Sequence, residues 1–323
     1  MVEELENWLR NAGIESDPPI ALAGDVSQRR YFRLRRRDGV SLLATHYPED
    51  LRAAMARFVG ARELLDRSGI RVPEILRTDP AGGWMIVEDL GDATIFESGD
   101  LTHAEGSVLP GRVVAAVEVA QRVARLDRSA VTALGSPPLD GTALARELDP
   151  TFQYLFDPQG LAAFSDDRRA FRLALDDLCY RLAKSELVPC HRDFMARNLL
   201  PVSGGVAVID FQDVRLGPAG YDLASLLNDS YFPDPDLEEA LLPGEWKSGG
   251  APDQYSRAVV QRCLKAAGTF ARFAARGNRR HVPLIAPTLH RAVRHLERLP
   301  EIAASFRPLH AWWLQLLAAD PIC

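Results

Sequence analysis

His191-Arg192-Asp193-Phe194-Met195-Ala196-Arg197-Asn198, residues 191–198, is the most informative segment of the chain, and Val208-Ile209-Asp210-Phe211 follows it at residues 208–211. Two short apolar runs, Leu199–Val202 and Val206–Ile209, lie between the polar residues, and Ser203-Gly204-Gly205 separates them as a turn. Two apolar runs joined by a glycine-containing turn predict a β-hairpin. Such a hairpin returns the chain on itself, so we expect Asn198 and Asp210 to lie close to Asp193.

These three side chains have the chemistry that phosphoryl transfer requires. That reaction needs a positioned group to accept a hydroxyl proton and a divalent metal to neutralise charge on the phosphates. Asp193 followed five positions later by Asn198 has the spacing of a kinase catalytic loop, and Asp210-Phe211 after a strand is typical of the second metal ligand. An amide and a carboxylate oxygen suit Mg²⁺. The alternative, in which Asp193 caps a helix and Asp210 opens an ordinary turn, leaves the whole pattern unexplained.

The surrounding sequence predicts a β-rich part followed by a helical part. Arg30-Tyr31-Phe32-Arg33-Leu34-Arg35 alternates at period two and meets the turn Asp38-Gly39, which is a strong hairpin signal. A helix is predicted for Asp50–Ser68 because its apolar residues recur at helical spacing. After Gly91 the patterns predict helices over 111–130, 166–184, 219–230, 253–276, 283–298 and 301–318. We therefore expect an α+β fold with two lobes, residues 1–90 forming a small β-rich lobe and residues 91–323 a larger helical one.

Composition limits the function classes. The chain has 323 residues, of which 47% are hydrophobic and 25% charged, with a formal net charge of −6. This composition predicts a folded protein rather than a disordered one, and the negative charge argues against a broad nucleic-acid surface. The four cysteines are scattered without metal-ligand spacing, so we expect free thiols. The acidic N-terminus and the absence of a long apolar run predict a cytoplasmic protein with no membrane partner.

The motifs resemble those of the aminoglycoside phosphotransferase and choline kinase superfamily, whose fold is protein-kinase-like. The resemblance is carried by residues 191–198, by Val208–Asp213 and by Gly217-Pro218-Ala219-Gly220-Tyr221-Asp222-Leu223-Ala224. Within that superfamily, the segments around Gly24, Glu88, Asp210 and Arg262 are most similar to bacterial anomeric kinases that phosphorylate N-acetylmuramate and N-acetylglucosamine in peptidoglycan recycling. The resemblance is weakest between residues 93 and 165.

The resemblance implies an ATP- and Mg²⁺-dependent sugar kinase with defined residue roles. Asp193 would be the catalytic base, and Asn198 and Asp210 would hold Mg²⁺. His191 and Asp222 would support the catalytic loop. The nucleotide would be bound by a phosphate-covering loop and a hinge, at Gly24, Ser27, Arg30, Glu88 and Leu90.

One departure from the kinase pattern concerns the lysine that normally grips the phosphates from the third strand. The chain has no lysine before Lys184. Arg29, Arg30 and Arg33 are the candidates to replace it, since a guanidinium is always charged and matches phosphate oxygens. The missing lysine also leaves open a non-catalytic, nucleotide-binding pseudokinase.

The acceptor is less well defined by the sequence. An amino sugar requires amide and guanidinium donors near Asp193, and the candidates are Arg197, Gln212, Asp213 and Arg262. The acidic segment Tyr231–Glu239 keeps an aminoglycoside or choline-like acceptor open. Six arginines between Arg29 and Arg37 also keep open a nucleic-acid-associated module, although we expect no nucleic-acid partner. We expect the protein to be a monomer.

Overall fold

The computed structural model describes residues 1–22, 28–97, 111–229, 235–247 and 251–318. The strands are β1 Ile20–Leu22, β2 Arg30–Arg35, β3 Ser41–His46, β4 Ile75–Asp79, β5 Trp84–Glu88, β6 Leu187–Cys190, β7 Leu199–Val202, β8 Gly205–Val208 and β9 Arg215–Pro218. The helices are α1 Val2–Asn11, α2 Arg52–Arg67, α3 Gly111–Ala124, α4 Arg128–Ala133, α5 Gly141–Arg146, α6 Asp149–Thr151, α7 Ser165–Ala183, α8 Tyr221–Leu227, α9 Pro235–Leu241, α10 Pro252–Ala275, α11 Ile285–Leu296, α12 Pro300–Phe306 and α13 His310–Ala318.

The first part of the chain forms one antiparallel sheet with strand order β1-β2-β3-β5-β4. Its two faces follow from the period-two alternation of β2, because successive side chains of a strand point to opposite sides. Phe32 and Leu34 are buried with Leu5 and Leu9 of α1 in a small core. Tyr31 lies on the other face, opposite Thr45 of β3, and that face turns toward the rest of the molecule.

The second part of the chain is mostly helical, and two short antiparallel strand pairs lie on it. β6 pairs with β9, and β7 pairs with β8, both antiparallel. The β7–β8 pair is tied to the first part by a backbone hydrogen bond from Val208 N to Arg71 O (2.8 Å), and to the segment that follows β5 by one from Ile95 N to Leu199 O (2.8 Å). Phe211 stacks on Phe58 of α2 with ring centroids 4.4 Å apart. The hairpin therefore meets the sheet and α2 along one boundary.

The long helix α10 passes through the centre of the helical part. Gly268 allows it to approach α6, because a Cβ at that position would lie 2.3 Å from Thr151 Oγ1 and 2.5 Å from Thr151 N. The Thr151 hydroxyl in turn donates to Leu264 O at 2.7 Å. Trp312 and Trp313 of α13 are buried against Phe156 and form part of the helical core.

The expected α+β architecture, with a β-rich first part and a larger helical part, is confirmed, and most of the expected helices are present with boundaries shifted by a few residues. The boundary at residue 90 stays a prediction. The sequence patterns missed α4, α5, α6 and the π-helical turn Phe152–Phe156, which are too short for a helical period to be recognised. Cys179, Cys190 and Cys263 are buried free thiols, whereas Cys323 lies outside the described residues. No helix in the described part of the chain is long and apolar enough to cross a membrane.

The contact between α10 and α6 gives a stability prediction. We expect Gly268→Ala to lower the free energy of unfolding by about 1–3 kcal/mol, because the added methyl group overlaps Thr151. The loss should appear although alanine is the better helix former by about 1 kcal/mol. Urea denaturation followed by circular dichroism measures the change.

Gly244→Ala is the control for this prediction. A Cβ at Gly244 meets no atom of the described residues within 4 Å, so the free energy of unfolding should stay within about 0.5 kcal/mol. Equal stability of Gly268→Ala and the wild type would contradict the close approach of α10 and α6.

Candidate active site

The loop at residues 191–198 connects β6 to β7 and is held by a buried carboxylate. Asp222, in the first turn of α8, accepts hydrogen bonds from the backbone N–H groups of His191 (2.6 Å) and Arg192 (3.0 Å). Arg192 adopts a φ of 77°, a conformation that costs free energy in a residue other than glycine. The two hydrogen bonds to Asp222 stabilise that conformation. Burial raises the pKa of Asp222 to about 6, so the carboxylate is mainly ionised at neutral pH and can accept both bonds.

Two further contacts fix the same loop. Asp229, just beyond the end of α8, accepts a hydrogen bond from Ala196 N at 3.0 Å. The His191 side chain is 1% exposed and donates from Nε2 to Ile209 O at 3.0 Å. The loop is thus attached to both ends of α8 and to the chain just after β8. The supporting role expected of His191 and Asp222 stays a prediction, and these hydrogen bonds are the contacts through which they would fulfil it.

Asn198 and Asp210 are brought together by the β7–β8 hairpin. Leu199 pairs with Val208, and Ile209 N donates to Asn198 O at 3.0 Å, so Asp210 follows immediately. Asn198 Nδ2 donates to the backbone oxygen of Asp193 at 2.8 Å. This bond uses the amide nitrogen and leaves the amide oxygen of Asn198 for another partner. The hairpin therefore brings together the two side chains that the sequence pairs as oxygen ligands.

A first cavity of about 280 Å³ lies between the sheet and this hairpin. Both Asn198 and Asp210 line it, as do Glu88 and Leu90 at the end of β5. The rest of its wall is mainly apolar and aromatic, formed among others by Leu43, Met85, Val87 and Phe211. Such a wall suits a flat, largely apolar group with a few polar contacts. We call this space the sheet-side cavity.

The only part of the expected phosphate-covering loop that can be placed is its end, because Gly24 and Ser27 lie outside the described residues. Arg29 lines the sheet-side cavity and pairs with Asp210 at 3.1 Å, while its guanidinium lies 5.7 Å from the Tyr31 ring centroid. Arg30 is exposed on the opposite face of β2, which carries Phe32 and Leu34. Arg33 is paired with Asp89 at 2.6 Å. The geometry therefore favours Arg29 over Arg30 for the phosphates.

A second cavity of about 300 Å³ surrounds the Asp193 carboxylate, and we call it the loop-side cavity. Lys265 Nζ lies 3.3 Å and Arg262 Nη2 lies 3.4 Å from Asp193 Oδ1. Burial by itself raises the pKa of a carboxyl group, but the charges of Lys265 and Arg262 outweigh it and hold the pKa of Asp193 well below its usual range. Asp193 is therefore ionised, and its side chain remains 32% exposed to the cavity.

Two residues of this cluster were missed by the sequence analysis. Lys265 is within 3.5 Å of Glu147 Oε1 as well as near Asp193, and Arg192 donates to Glu147 at 2.7 Å. Lys265 could have been found from its place three residues after Arg262, on the same face of α10. Glu147 lies in a region of short helices that contains no recognisable motif.

The structure places the predicted acceptor-binding residues at different sites. Arg197 and Arg262 line the loop-side cavity, whereas Gln212 lines the sheet-side cavity and donates to Asp210 at 2.9 Å. Asp213 pairs with Arg215 at 3.1 Å and with Arg192 at 3.4 Å. Asp213 therefore acts on the loop through Arg192. His281 is 4% exposed and also lines the loop-side cavity.

Comparison with known proteins shows which family and which curated relatives this chain is similar to. A family model described as the phosphotransferase enzyme family matches residues 20–258. N-acetylmuramate/N-acetylglucosamine kinases of Neisseria meningitidis serogroup B and Pseudomonas aeruginosa are 28% and 32% identical to this chain. The first alignment covers 99% of this chain and 97% of the relative, and the second covers 88% and 87%.

Solved structures show the same fold at low sequence identity. The choline kinase LicA from Streptococcus pneumoniae has a TM-score of 0.59 at 14% identity, covering 94% of this chain and 99% of that chain. The ADP-bound aminoglycoside phosphotransferase APH(2'')-Ib has a TM-score of 0.61 at 13% identity, covering 94% and 98%. These two similarities establish the fold and nothing further.

The attachment of the loop to Asp222 gives the prediction of this subsection. In Asp222→Asn an amide N–H₂ faces a backbone N–H, so one of the two hydrogen bonds is lost in a buried position. We expect the free energy of unfolding to fall by about 1–3 kcal/mol and the amides of residues 191–198 to exchange hydrogen faster. Urea denaturation and hydrogen–deuterium exchange measure the two effects.

Asp177→Asn is the matched control. Asp177 pairs with Arg181 on the exposed face of α7, and such surface pairs contribute about 0–1 kcal/mol. If residues 191–198 exchanged at the wild-type rate in Asp222→Asn, the role given to Asp222 would be wrong.

Proposed function

The chain belongs to the phosphotransferase enzyme family, and we infer from this that it is an ATP-dependent kinase that phosphorylates the anomeric hydroxyl of N-acetylmuramate and N-acetylglucosamine. One observation carries the inference within the structure. The loop at residues 191–198 places Asp193 in the loop-side cavity and Asn198 in the sheet-side cavity. A donor nucleotide and an acceptor sugar bound in these two cavities would meet at this loop.

The sheet-side cavity is the proposed ATP site. Its apolar wall suits the adenine ring, with Glu88 and Leu90 at the hinge, and its polar end carries Arg29, Asn198 and Asp210. The described residues hold no cluster of three or more His, Cys, Asp or Glu side chains that could bind a metal by themselves. One amide and one carboxylate nevertheless fit Mg²⁺, which usually takes few protein ligands and completes its shell with water and phosphate oxygens. Held by Asn198 and Asp210, Mg²⁺ would neutralise charge on the phosphates.

Asp193 is the proposed base. As the anomeric oxygen forms its bond to the γ-phosphorus, the carboxylate accepts the hydroxyl proton, and the bond between the γ-phosphorus and the bridging oxygen of ADP breaks. A carboxylate whose pKa is held low by Lys265 and Arg262 is a weak base. A weak base is sufficient here, because an anomeric hydroxyl belongs to a hemiacetal and is more acidic than an ordinary alcohol. Orientation of the two reactants by the fixed loop supplies much of the catalysis.

The charge of the loop-side cavity supports a sugar rather than a cationic acceptor. Arg192, Arg197, Arg262 and Lys265 all line it, and a positively charged wall repels an aminoglycoside or choline. Of the acidic segment Tyr231–Glu239, which kept those acceptors open in the sequence, residues 231–234 lie outside the described residues. Its Glu238 is buried and pairs with Arg294 rather than lining the loop-side cavity. ATP and the sugars released in peptidoglycan recycling share the cytoplasm, so we place the protein there. The monomer expected from the sequence stays a prediction.

Arg29 takes the place of the missing strand lysine in this proposal. We expect Arg29→Met to raise the KM for ATP about tenfold or more, because a guanidinium contact to the phosphates is lost. Steady-state kinetics at saturating sugar measure the change.

Arg30→Met is the neighbouring control and tests the sequence-based assignment of Arg30 at the same time. Its KM for ATP should stay within about twofold of the wild type, as for other exposed residues. A larger increase in Arg30→Met than in Arg29→Met would reverse the assignment.

The proposed function is tested by ATP turnover on a panel of N-acetylmuramate, N-acetylglucosamine, an aminoglycoside and choline. We expect turnover with the two sugars and a loss of kcat of about 10²–10⁴-fold in Asp193→Asn, the range for removal of a general base. Asp177→Asn should keep the wild-type kcat.

Three results would contradict the proposal. Turnover on the aminoglycoside or choline alone would assign a different acceptor, and nucleotide binding without turnover on any acceptor would indicate a pseudokinase. An Asp193→Asn variant as active as the wild type would remove Asp193 from its role.

A further inference from the structure

The loop-side cavity is lined by more positively charged side chains than the contacts around Asp193 account for. Among the described residues that line it, five are Arg or Lys and two are Asp. Three of the five cations belong to the charge cluster around Asp193, since Arg192 contacts Glu147, and Arg262 and Lys265 contact Asp193. The other two, Arg197 and Arg272, have no part in the proton transfer described above.

Arg272 lies on the same face of α10 as Lys265, seven residues further along. Seven residues make two helical turns, which separates the two backbone positions by about 10 Å. One end of the cavity wall therefore carries the charges around Asp193, and a second cation lies two turns away. A hexosamine bound with its anomeric hydroxyl at Asp193 would extend along this wall of α10.

The environment of Arg272 indicates an anionic ligand. Its side chain is half-buried, and its Nε is a buried donor without a hydrogen-bond partner in the described part of the chain. Within that same part, no carboxylate pairs with its guanidinium, which lies 5.9 Å from the ring centroid of Phe273. A half-buried guanidinium without a counter-charge is costly unless a ligand supplies one.

Arg197 joins the same wall through His281. The His281 ring stacks on Phe270 at 5.3 Å with an interplanar angle of 8°, and it also packs against Phe273. Arg197 Nη1 donates to His281 Nε2 at 3.0 Å and lies over the Phe270 ring. Because a guanidinium has no acceptor, this bond requires His281 to be the acceptor and therefore neutral at Nε2. Arg197, His281 and the two phenylalanines form a continuous surface that ends at Arg272.

We propose that Arg272, together with Arg197 on the wall of the same cavity, binds the carboxylate of an acidic amino sugar, so that the protein selects N-acetylmuramate over N-acetylglucosamine. The inference rests on the proposed function and specifies its acceptor. The two sugars differ by a lactyl ether on the 3-hydroxyl, which gives N-acetylmuramate a carboxylate that N-acetylglucosamine lacks. A guanidinium can bind a carboxylate through two parallel hydrogen bonds. Arg272 is thus the specificity-determining residue, acting away from the reacting atoms.

The test compares kcat/KM for the two sugars in Arg272→Met at saturating ATP. We expect the ratio of kcat/KM for N-acetylmuramate to that for N-acetylglucosamine to fall about 10- to 100-fold, the range for a lost charge-assisted hydrogen bond. Arg272→Lys keeps the charge but not the planar fork, so it should recover part of the ratio. Isothermal titration with each sugar alone should show the same order of affinities.

Arg276→Met is the matched control, since Arg276 is exposed one turn further on, at the C-terminal cap of α10. Its ratio should remain within about twofold of the wild type. An unchanged ratio in Arg272→Met, or an equal loss with both sugars, would overturn the inference while the wild-type turnover leaves the proposed function standing. A wild type that turns over neither sugar would overturn both.

Discussion

The hydrogen bonds from the backbone of residues 191 and 192 to the buried carboxylate of Asp222 are the constraint on which the site depends. They hold Arg192 at a positive φ and so set the direction in which the side chain of Asp193 points. Asp229 accepts a hydrogen bond from the backbone N–H of Ala196 in the same way, so both halves of the loop are fixed by carboxylates at the two ends of one short helix. Because α8 is buried along its whole length, the loop inherits the rigidity of the core.

A chain of alternating charges surrounds this constraint. It runs from Asp213 to Arg192, Glu147, Lys265, Asp193 and Arg262, with every neighbouring pair within 3.5 Å. Burying an unpaired ion costs several kcal/mol, of order 3–5 when one partner of a buried pair is removed, so each member fixes the charge of the next. These alternating charges keep Asp193 ionised and direct its side chain into the loop-side cavity. They also join α10 to the loop, so the helix that lines the acceptor wall is the one that sets the state of the base.

The sequence predicted the parts of the site that are local in the chain. Asp193 and Asn198 lie in one loop and Asp210 follows one hairpin, so spacing and turn chemistry were sufficient to group them. Glu147 depends on contacts between segments far apart in sequence, which no local pattern records, whereas Lys265 was missed although it lies on the same face of α10 as Arg262. Which of Arg29 and Arg30 faces the sheet-side cavity depends on the side of β2 to which each side chain points. Arg30 shares a face with Phe32 and Leu34, while Arg29 precedes the strand and pairs with Asp210. The short helices between residues 128 and 151 were missed because each is too short for a helical period to be recognised.

The central claim is that one loop presents a sugar hydroxyl and a nucleotide phosphate to each other from two separate cavities. A crystal structure of the protein with a non-hydrolysable ATP analogue, Mg²⁺ and N-acetylmuramate tests it most directly. The account predicts the analogue in the sheet-side cavity, Mg²⁺ on Asn198 and Asp210, and the anomeric oxygen within hydrogen-bond distance of Asp193, with the lactyl carboxylate on Arg272. A sugar bound outside the loop-side cavity, or one whose anomeric oxygen faces away from Asp193, would contradict it.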